Sequence, residues 1–445
     1  MLIDSAYTKH RKRAFKLFML PLMGLLAIVL TVPQSKSALP SRQKQSDEMQ
    51  QAWTSFIDSG LKQPITAAQA QNVGVIWMVP LHAAFHRKDE AWIQSFAAQF
   101  SRFASDPSTL PTGTSVELSR MYYLYVASQF IVLAKENGRQ DLVPPGLPEL
   151  LYSEVQTEWR VRPAWQFGGK PFPGGARERV LWKLDHRKAE KSYYRAMIDE
   201  DLYNFAIAAD LKAYGGTDTQ RAAWDPLLND VLSVVKRVFT QEVVQLPDGG
   251  WLFQPGVYSD HPEYQYVGNS AARPGLKPAP VRNIAEDTSH SLRFPLWLTS
   301  FMKAYPANSQ DYLYYERLRE GLERQFYAKV LVQPTAEHPC FLTTNFMDGS
   351  NGVYRWNYES FGKDNGYGPY QASGAFLLGW WAFLDTDRIR GVYREAAGQF
   401  PWPRQCVELY VGPHPASGPF PPSSLDPESS SMRLRHFLVV LAATL

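Results

Sequence analysis

The feature of this sequence that most constrains its fold is an alternation between two kinds of helical segment. Apolar segments over residues 67–85, 115–134, 198–214, 286–305 and 370–384 are each followed by a charged or amphipathic one. A helix that is hydrophobic all round is buried, whereas an amphipathic helix keeps one face in water. The sequence therefore predicts a mainly α fold in which buried inner helices alternate with outer helices as hairpins.

The connections between these segments are uneven in length. The loops that follow inner helices are short, whereas the loops that precede them, 244–281 and 331–368, are long and rich in aromatic residues. Long loops without secondary structure of their own are usually functional or disordered. About five or six hairpins packed in a ring form an (α/α) toroid, and these loops would lie at one mouth of it. The Asp248-Gly249-Gly250 turn predicts a small β-hairpin there.

The two ends of the chain differ from its body. A basic cluster at 9–13, an apolar run at 17–32 and small residues at 35–38 predict that residues 1–38 are a signal peptide or signal anchor. We therefore expect an exported protein, periplasmic or secreted, with a membrane tether through the apolar run as the alternative. Residues 39–412 are assigned to the toroid domain, and residues 413–445 to a Pro/Ser-rich linker and a short apolar tail.

Composition excludes several classes of partner. The net charge is only +3, and nucleic-acid binding would need a strongly basic face, so we expect no nucleic acid. The two cysteines, Cys340 and Cys406, belong to no C-x-x-C motif, and H-E-x-x-H is absent, so no metal site or cofactor is expected. In an exported chain the two cysteines could pair, but the sequence does not place them close together.

The strongest candidate for a site is the stretch that opens the apolar segment at 286–305. Glu286 and Asp287 stand at the expected helix start, and His290 follows within one turn, with Asn283 just before them. In a helix, residues three and four apart are neighbours, so both acids can lie beside the same imidazole. The simpler interpretation is that the acids only favour the helix N-terminus. The histidine, the asparagine and the preceding aromatic loop favour a catalytic site.

A second pair of acids, Asp199 and Glu200, stands at the start of another inner segment. They are an ordinary acidic first turn, or they face Glu286 and Asp287 across the ring. Hydrolysis of a glycosidic bond commonly uses two carboxyl groups that flank the bond, one protonated and one ionised. The second interpretation would supply that pair.

The long loops supply candidates for substrate binding. Tryptophan and tyrosine combine an apolar body with a polar tip, and their flat faces can stack on sugar rings. The candidates are these aromatic residues and two arginines: Trp251, Tyr258, Tyr266, Arg293, Tyr354, Arg355, Trp356, Tyr358, Tyr367 and Tyr370.

Alternating buried and exposed helices, a secretory signal and aromatic loops at one mouth resemble the six-hairpin, α/α-toroid superfamily of glycosidases and polysaccharide lyases. The resemblance covers most of the chain after about residue 50 and implies a sugar-binding cleft at the mouth of the ring. The lyases of this group tend to use an asparagine, a histidine, a tyrosine and an arginine. The matching residue types are Asn283, His290, Arg293 or Arg355, and Tyr358 or Tyr367.

Three hypotheses for function follow. The preferred one is an exported carbohydrate-active enzyme that hydrolyses glycosidic bonds of a polysaccharide or oligosaccharide with paired carboxylates. The second is a lyase that cleaves a uronate-containing polymer by β-elimination, with His290 or a tyrosine as the base. The third is a glycan-binding protein without catalysis, in which the acids are only helix caps.

Overall fold

The computed structural model describes residues 42–110, 117–186, 188–414 and 422–445, so the predicted signal segment lies outside the described residues. The described chain is mainly helical with two small antiparallel hairpins, which confirms the predicted fold class at that level. Of the helices in these ranges, none combines the length and the apolar character needed to cross a bilayer.

The helices and strands have the following bounds. The first half contains α1 (Arg42–Trp53), α2 (Ala67–His86), α3 (Glu90–Ser105), α4 (Glu117–Glu136), α5 (Leu147–Gln156), α6 (Gly175–Asp185) and α7 (Asp199–Tyr214). The second half contains α8 (Asp218–Glu242), α9 (Thr288–Ser291), α10 (Phe294–Lys303), α11 (Gln310–Gln325), α12 (Asp387–Gly398), α13 (Arg404–Val411) and α14 (Ser430–Ala442). Strand β1 (Val243–Gln245) pairs with β2 (Trp251–Phe253), and β3 (Leu331–Val332) pairs with β4 (Leu342–Thr343).

The buried helices α2, α4, α7 and α10 contact one another in chain order. They run in the same direction. The rings of Tyr122 and Tyr203, early in α4 and α7, are 4.5 Å apart, and Ser128 donates to Asp210 late in both helices. A 3₁₀ segment at Trp380–Leu384 contacts α10, and its Trp380 indole donates to the Val75 carbonyl of α2. The contacts therefore return to the first buried helix, and the N-terminal ends of these helices share one side.

A buried polar network joins the buried helices at their opposite ends. Asp210 accepts hydrogen bonds from Ser128 Oγ at 2.6 Å and from Gln129 Nε2, and Gln129 Oε1 lies 3.0 Å from the His82 ring. Burial raises the pKa of Asp210 to about 7 and lowers the pKa of His82 to about 3. Because a buried polar group is costly unless it is hydrogen-bonded, this network fixes the lengthwise register of the three helices.

Two of the predicted apolar helices are interrupted. The segment at 286–305 is divided into α9 and α10, because Pro295, in the first turn of α10, has no N–H to continue a helix from α9. The segment at 370–384 forms 3₁₀ turns, which Gly379 separates with a φ of +83°. The site-forming acids therefore lie before a short helical turn, not along one long helix.

The structure also contains helices that the sequence pattern did not predict. Helix α6 follows a Gly- and Pro-containing stretch between the predicted segments at 115–134 and 198–214, and α14 lies within the segment predicted as linker and tail. Helix α14 buries Met432, Leu438 and Val439 and contacts α2 and α12. Cys340 and Cys406 form a disulfide, which joins the loop before β4 to α13.

Candidate functional site

Asp287 is the centre of a polar cluster at the N-terminal side of the buried helices. It is the N-cap of α9, and its carboxylate accepts the backbone N–H of His290 at 3.1 Å. Aspartate is favoured at this position because it satisfies N–H groups that have no partner within the helix. The same carboxylate lies 2.8 Å from Nδ1 of His290 and accepts a hydrogen bond from the Ser289 hydroxyl.

Two tyrosines from the long loops complete the surroundings of Asp287. The hydroxyl of Tyr264 donates to Oδ2 at 2.9 Å, and that of Tyr354 donates to it at 3.1 Å. Burial acts to raise the pKa of Asp287, but the charge on His290 and the hydrogen bonds from His290 and Ser289 hold that pKa well below its usual value. With its side chain only 2 % exposed, Asp287 stays ionised and orients His290.

His290 is the member of the cluster that reaches the surface. Its side chain is 24 % exposed, and within the described part of the chain no residue hydrogen-bonds its other ring nitrogen, Nε2. Burial acts to lower the pKa of His290, and the neighbouring Asp287 carboxylate raises it above its ordinary value. An imidazole with one nitrogen fixed by a carboxylate and the other directed outward can transfer a proton.

Glu286, the residue before Asp287, has the opposite electrostatic environment. Burial raises its pKa to about 8, a hydrogen bond from Gln254 acts against this shift, and the charges of Asp287 and Asp199 reinforce it. Gln254 Nε2 lies 2.5 Å from Oε1 of Glu286. At neutral pH Glu286 is therefore mostly protonated and can donate a proton.

Of the predicted second pair of acids, Asp199 lies at the site and Glu200 lies beside it. Asp199, the first residue of α7, accepts from Arg293 at 3.1 Å and its side chain is 17 % exposed. Arg293 also bonds the Tyr122 hydroxyl and the His290 carbonyl, which brings Asp199 into contact with the His290 turn. Glu200 is buried instead. Arg293 is only 3 % exposed, so it holds the site together and does not face a ligand.

The structure places two of the predicted substrate-binding residues in the interior. Trp251 is 2 % exposed, and its indole donates to the Leu318 carbonyl of α11, so it is a core residue. Trp356 is 4 % exposed and packs with Leu276 in a small cluster beneath the loops. These rings are covered because the two long loops pack on each other and on α11, which the loop sequences alone do not reveal.

Two more of these residues are structural supports. Arg355 is buried in an ion pair with Glu263 at 3.1 Å. The Tyr354 hydroxyl lies 3.1 Å from the same Glu263 as well as 3.1 Å from Asp287, so its single proton is shared between the two carboxylates. Burial acts to raise the pKa of Glu263, and Arg355 lowers it to about 2. A chain of charges and hydroxyls therefore connects Arg355 to the Asp287–His290 pair.

The remaining predicted residues lie near the surface. The half-buried tyrosines are Tyr258, Tyr266, Tyr358, Tyr367 and Tyr370. Asn283 is exposed, and within the described residues no hydrogen bond joins it to Asp287 or His290. The structure therefore brings together Asp199, Glu286, Asp287, His290 and Arg293, with Asn283 apart from them.

Sequence reasoning missed several residues that build the site. Gln254 follows the predicted hairpin directly, and Glu263 and Tyr264 lie in the loop after it, so their position near aromatic residues was the available signal. Tyr122 gave no such signal, because it lies in an apolar helix where tyrosine is typical of a core. The groups of His, Cys, Asp and Glu in the described ranges include none that could hold a metal ion.

Comparison with known proteins adds no family to this geometry: no family model, no curated protein and no solved structure matches the chain.

Proposed function

We propose that this chain is an exported glycan-cleaving enzyme that hydrolyses glycosidic bonds, with Glu286 as the proton donor and Asp199 as the ionised partner. One observation carries the proposal: a carboxyl group whose pKa is raised to about 8 lies close enough to Asp199 for that charge to contribute to the shift. A carboxyl group that is mostly protonated at neutral pH can serve as a general acid.

In this mechanism Glu286 gives its proton to the leaving glycosidic oxygen as the bond between that oxygen and the anomeric carbon breaks, and the Asp199 carboxylate accepts a proton from the water molecule that attacks this carbon. Arg293 donates to the Asp199 carboxylate at 3.1 Å and so fixes its position. His290, oriented by Asp287, lies in the helical turn that follows these acids and is partly exposed. Asp287 itself is too deeply buried to touch a substrate, so its role is to position His290.

The proposed architecture is an (α/α) toroid. Its support is the sequence of contacts from α2 through α4, α7 and α10 to the Trp380–Leu384 segment and back to α2. The cluster around Asp287 lies where the N-terminal ends of these helices meet the long loops. Such a position leaves the reacting groups at an open end, while the helices below keep them rigid.

The proposed export also has one structural support. Disulfides persist mainly in oxidising compartments, and Cys340 and Cys406 are paired.

A second candidate, β-elimination from a uronate polymer, is favoured by a different observation. Nδ1 of His290 lies 2.8 Å from the Asp287 carboxylate, which leaves Nε2 directed outward as a base for the proton beside the uronate carboxyl group. The two mechanisms differ in the residue that reacts: Glu286 for hydrolysis and His290 for elimination.

The experiment is a digest of neutral and acidic polysaccharides with the wild-type chain and with Glu286→Gln, Asp199→Asn and His290→Gln. New reducing ends and the ultraviolet absorbance of unsaturated uronate are followed together. Reducing ends without absorbance, lost in Glu286→Gln and Asp199→Asn, are the expected result. The matched control is Glu320→Gln, which changes an exposed glutamate of α11 and leaves activity intact.

Absorbance that rises with the reducing ends and is lost in His290→Gln would replace hydrolysis by elimination. Polymer binding without any cleavage, unchanged in Glu286→Gln, would contradict both mechanisms and leave a glycan-binding role.

A further inference from the structure

A row of aromatic rings leads away from the Asp287 cluster. It begins with Tyr258, which stacks on Tyr264 at a centroid distance of 5.4 Å and an angle of 12°. It continues through His261 to Tyr193 and Phe167, with centroids 4.7 and 5.2 Å from the His261 ring. We call Phe167, Tyr193, Tyr258 and His261 the aromatic wall. Because Tyr264 bonds Asp287, the wall is continuous with the candidate site.

The wall has a packed side and an outer side. Beneath it lies a small hydrophobic cluster that includes Trp165, Ile198 and Val257, against which Phe167 and Tyr258 pack. Phe167, Tyr193 and Tyr258 nevertheless remain only half-buried. Adjacent aromatic rings that stay partly in water are typical of a binding surface, because a purely structural cluster buries them.

The loops that carry the wall are held in place by hydrogen bonds. Asp260 accepts from the backbone N–H of Ser192 at 2.8 Å, from its hydroxyl at 2.5 Å and from the N–H of Tyr193 at 3.4 Å. Gln166 donates to the Tyr194 carbonyl at 2.7 Å. Three separate loops are therefore fixed relative to one another, and a ligand that binds to them pays little ordering entropy.

We infer that the aromatic wall binds successive sugar rings on one side of the reacting groups, so that the substrate is an extended oligosaccharide or polysaccharide chain. This inference rests on the proposed function for the position of the cleaved bond. Tyrosine offers an apolar face and a hydroxyl tip, which match the C–H faces and hydroxyl edges of a sugar. Burial raises the pKa of Tyr193 to about 12, so its hydroxyl keeps its proton and remains a hydrogen-bond donor.

The continuity of the aromatic wall with the candidate site favours a sugar chain as the ligand. The three half-buried rings, Tyr258, Tyr193 and Phe167, surround the buried His261, and the Tyr258 and Phe167 centroids lie 5.9 and 5.2 Å from its ring, so a ligand in contact with both extends across the wall. A single monosaccharide at the Asp287 cluster would not reach Phe167. The wall therefore predicts a dependence of affinity on chain length.

The test measures binding by calorimetry in the Glu286→Gln background, where cleavage is absent. The probes are cello-, manno-, chito- and galacturonate oligosaccharides, each from disaccharide to hexasaccharide. On a series that binds, we expect Phe167→Ala and Tyr193→Ala to weaken hexasaccharide binding about tenfold, equivalent to roughly 1.4 kcal/mol, with disaccharide binding unchanged. Tyr152→Ala, which removes a half-buried ring stacked on Trp224 of the outer layer, is the matched control and leaves both affinities unchanged.

Phe167→Leu is the control for misfolding. It keeps an apolar side chain over the Trp165, Ile198 and Val257 cluster and removes only the flat ring. Full hexasaccharide affinity in Phe167→Leu, or equal weakening at every length in the alanine variants, would overturn the inference, as would absence of binding in all four series. Length-dependent binding without cleavage by the wild-type chain would keep the wall and reject the proposed hydrolysis. Cleavage by the wild-type chain together with binding that does not depend on chain length would keep the proposed hydrolysis and reject the role of the aromatic wall.

Discussion

Glu286 and Asp287 are consecutive residues, yet their carboxyl groups are shifted in opposite directions. Glu286 is half-buried with one hydrogen-bond donor, Gln254, and its pKa rises to about 8. Asp287 is buried with donors from Ser289, His290, Tyr264 and Tyr354, and its pKa falls well below the ordinary value. These two consecutive acids thus differ in protonation state: burial keeps Glu286 protonated, whereas the charge of His290 and several donors keep Asp287 ionised.

The first prediction concerns pH and Glu286. If Glu286 is the proton donor, the cleavage rate falls as pH rises through about 8, because the carboxyl then loses its proton. The free energy of unfolding also falls as pH rises. The pKa of Glu286 is about 8 in the folded state and has an ordinary value of 4.5. The stabilising contribution of Glu286 is therefore complete below pH 4.5 and is lost as pH rises toward about 8.

Glu286→Gln removes this contribution, so the free energy of unfolding of the variant varies less with pH over that interval. Chemical denaturation at a series of pH values measures it, with Glu320→Gln as the control. Identical pH dependence in wild type and Glu286→Gln would show that Glu286 titrates normally.

The second prediction concerns the Asp287–His290 contact. Asp287→Asn removes the negative charge that raises the pKa of His290, so the pKa of His290 falls, as a histidine NMR titration can measure. Because His290 is partly exposed and can release its proton, the expected loss of unfolding free energy is that of donors left without their buried acceptor, about 1–3 kcal/mol. Tyr264→Phe, which removes one neutral donor from the same carboxylate, costs about 1 kcal/mol. An unchanged His290 titration in Asp287→Asn would disprove the electrostatic coupling.

The third prediction is that Gln254 positions Glu286. Its Oε1 accepts the Met197 N–H at 2.8 Å, which fixes the amide so that Nε2 donates both to the Met197 carbonyl and to Glu286. Gln254→Met removes the donor that lowers the pKa of Glu286, so that pKa rises further and the alkaline limb of the pH–rate profile moves upward.

The rate itself falls in Gln254→Met, because the carboxyl group loses its fixed direction, whereas the substrate KM changes little. Gln245→Met, in the exposed part of β1, is the control and changes neither quantity. A fall in rate without any displacement of the alkaline limb would assign Gln254 a purely structural role.

The fourth prediction concerns the start of α7. Asp201 bonds Arg179 at 2.8 Å and Lys183 at 2.6 Å, and all three side chains are fully buried. Asp201→Asn leaves two buried cations without a counter-charge and lowers the unfolding free energy by about 3–5 kcal/mol, measured by urea denaturation. Asp201→Asn combined with Lys183→Met recovers part of that loss. Asp218→Asn, at an almost fully exposed aspartate, is the control with little effect.

The sequence correctly predicted those helices whose capping residues and apolar pattern indicate the same starting point. Helices α2 and α7 begin within a residue of their predicted starts, because Thr66 caps α2, Asp201 accepts the Ile198 N–H at the start of α7, and the apolar pattern continues from there. Helix α6 was hidden by the glycines and prolines around it, and its stability comes from Arg179 and Lys183 bonding α7. A partner that is remote in sequence gives no local signal.

The same distinction explains the site. The Asp287–His290 contact follows from helical spacing near a helix start, so it could be predicted. The burial of Trp251 against Leu318 and the pairing of Arg355 with Glu263 depend on how separate loops and α11 meet. Aromatic and charged residues in a loop look alike in sequence whether they face solvent or each other.

The Cys340–Cys406 disulfide encloses most of the second long loop, including Tyr354, Arg355 and Tyr367. A covalent ring of this size remains closed when the helices unfold. On the chain-entropy account the cross-link removes roughly 4 kcal/mol of freedom from the unfolded chain. Tyr354, which bonds Asp287, thus belongs to a segment whose ends stay joined. Reduction of the disulfide should therefore loosen the part of the site that contains Tyr354 before it affects Gln254, which bonds Glu286.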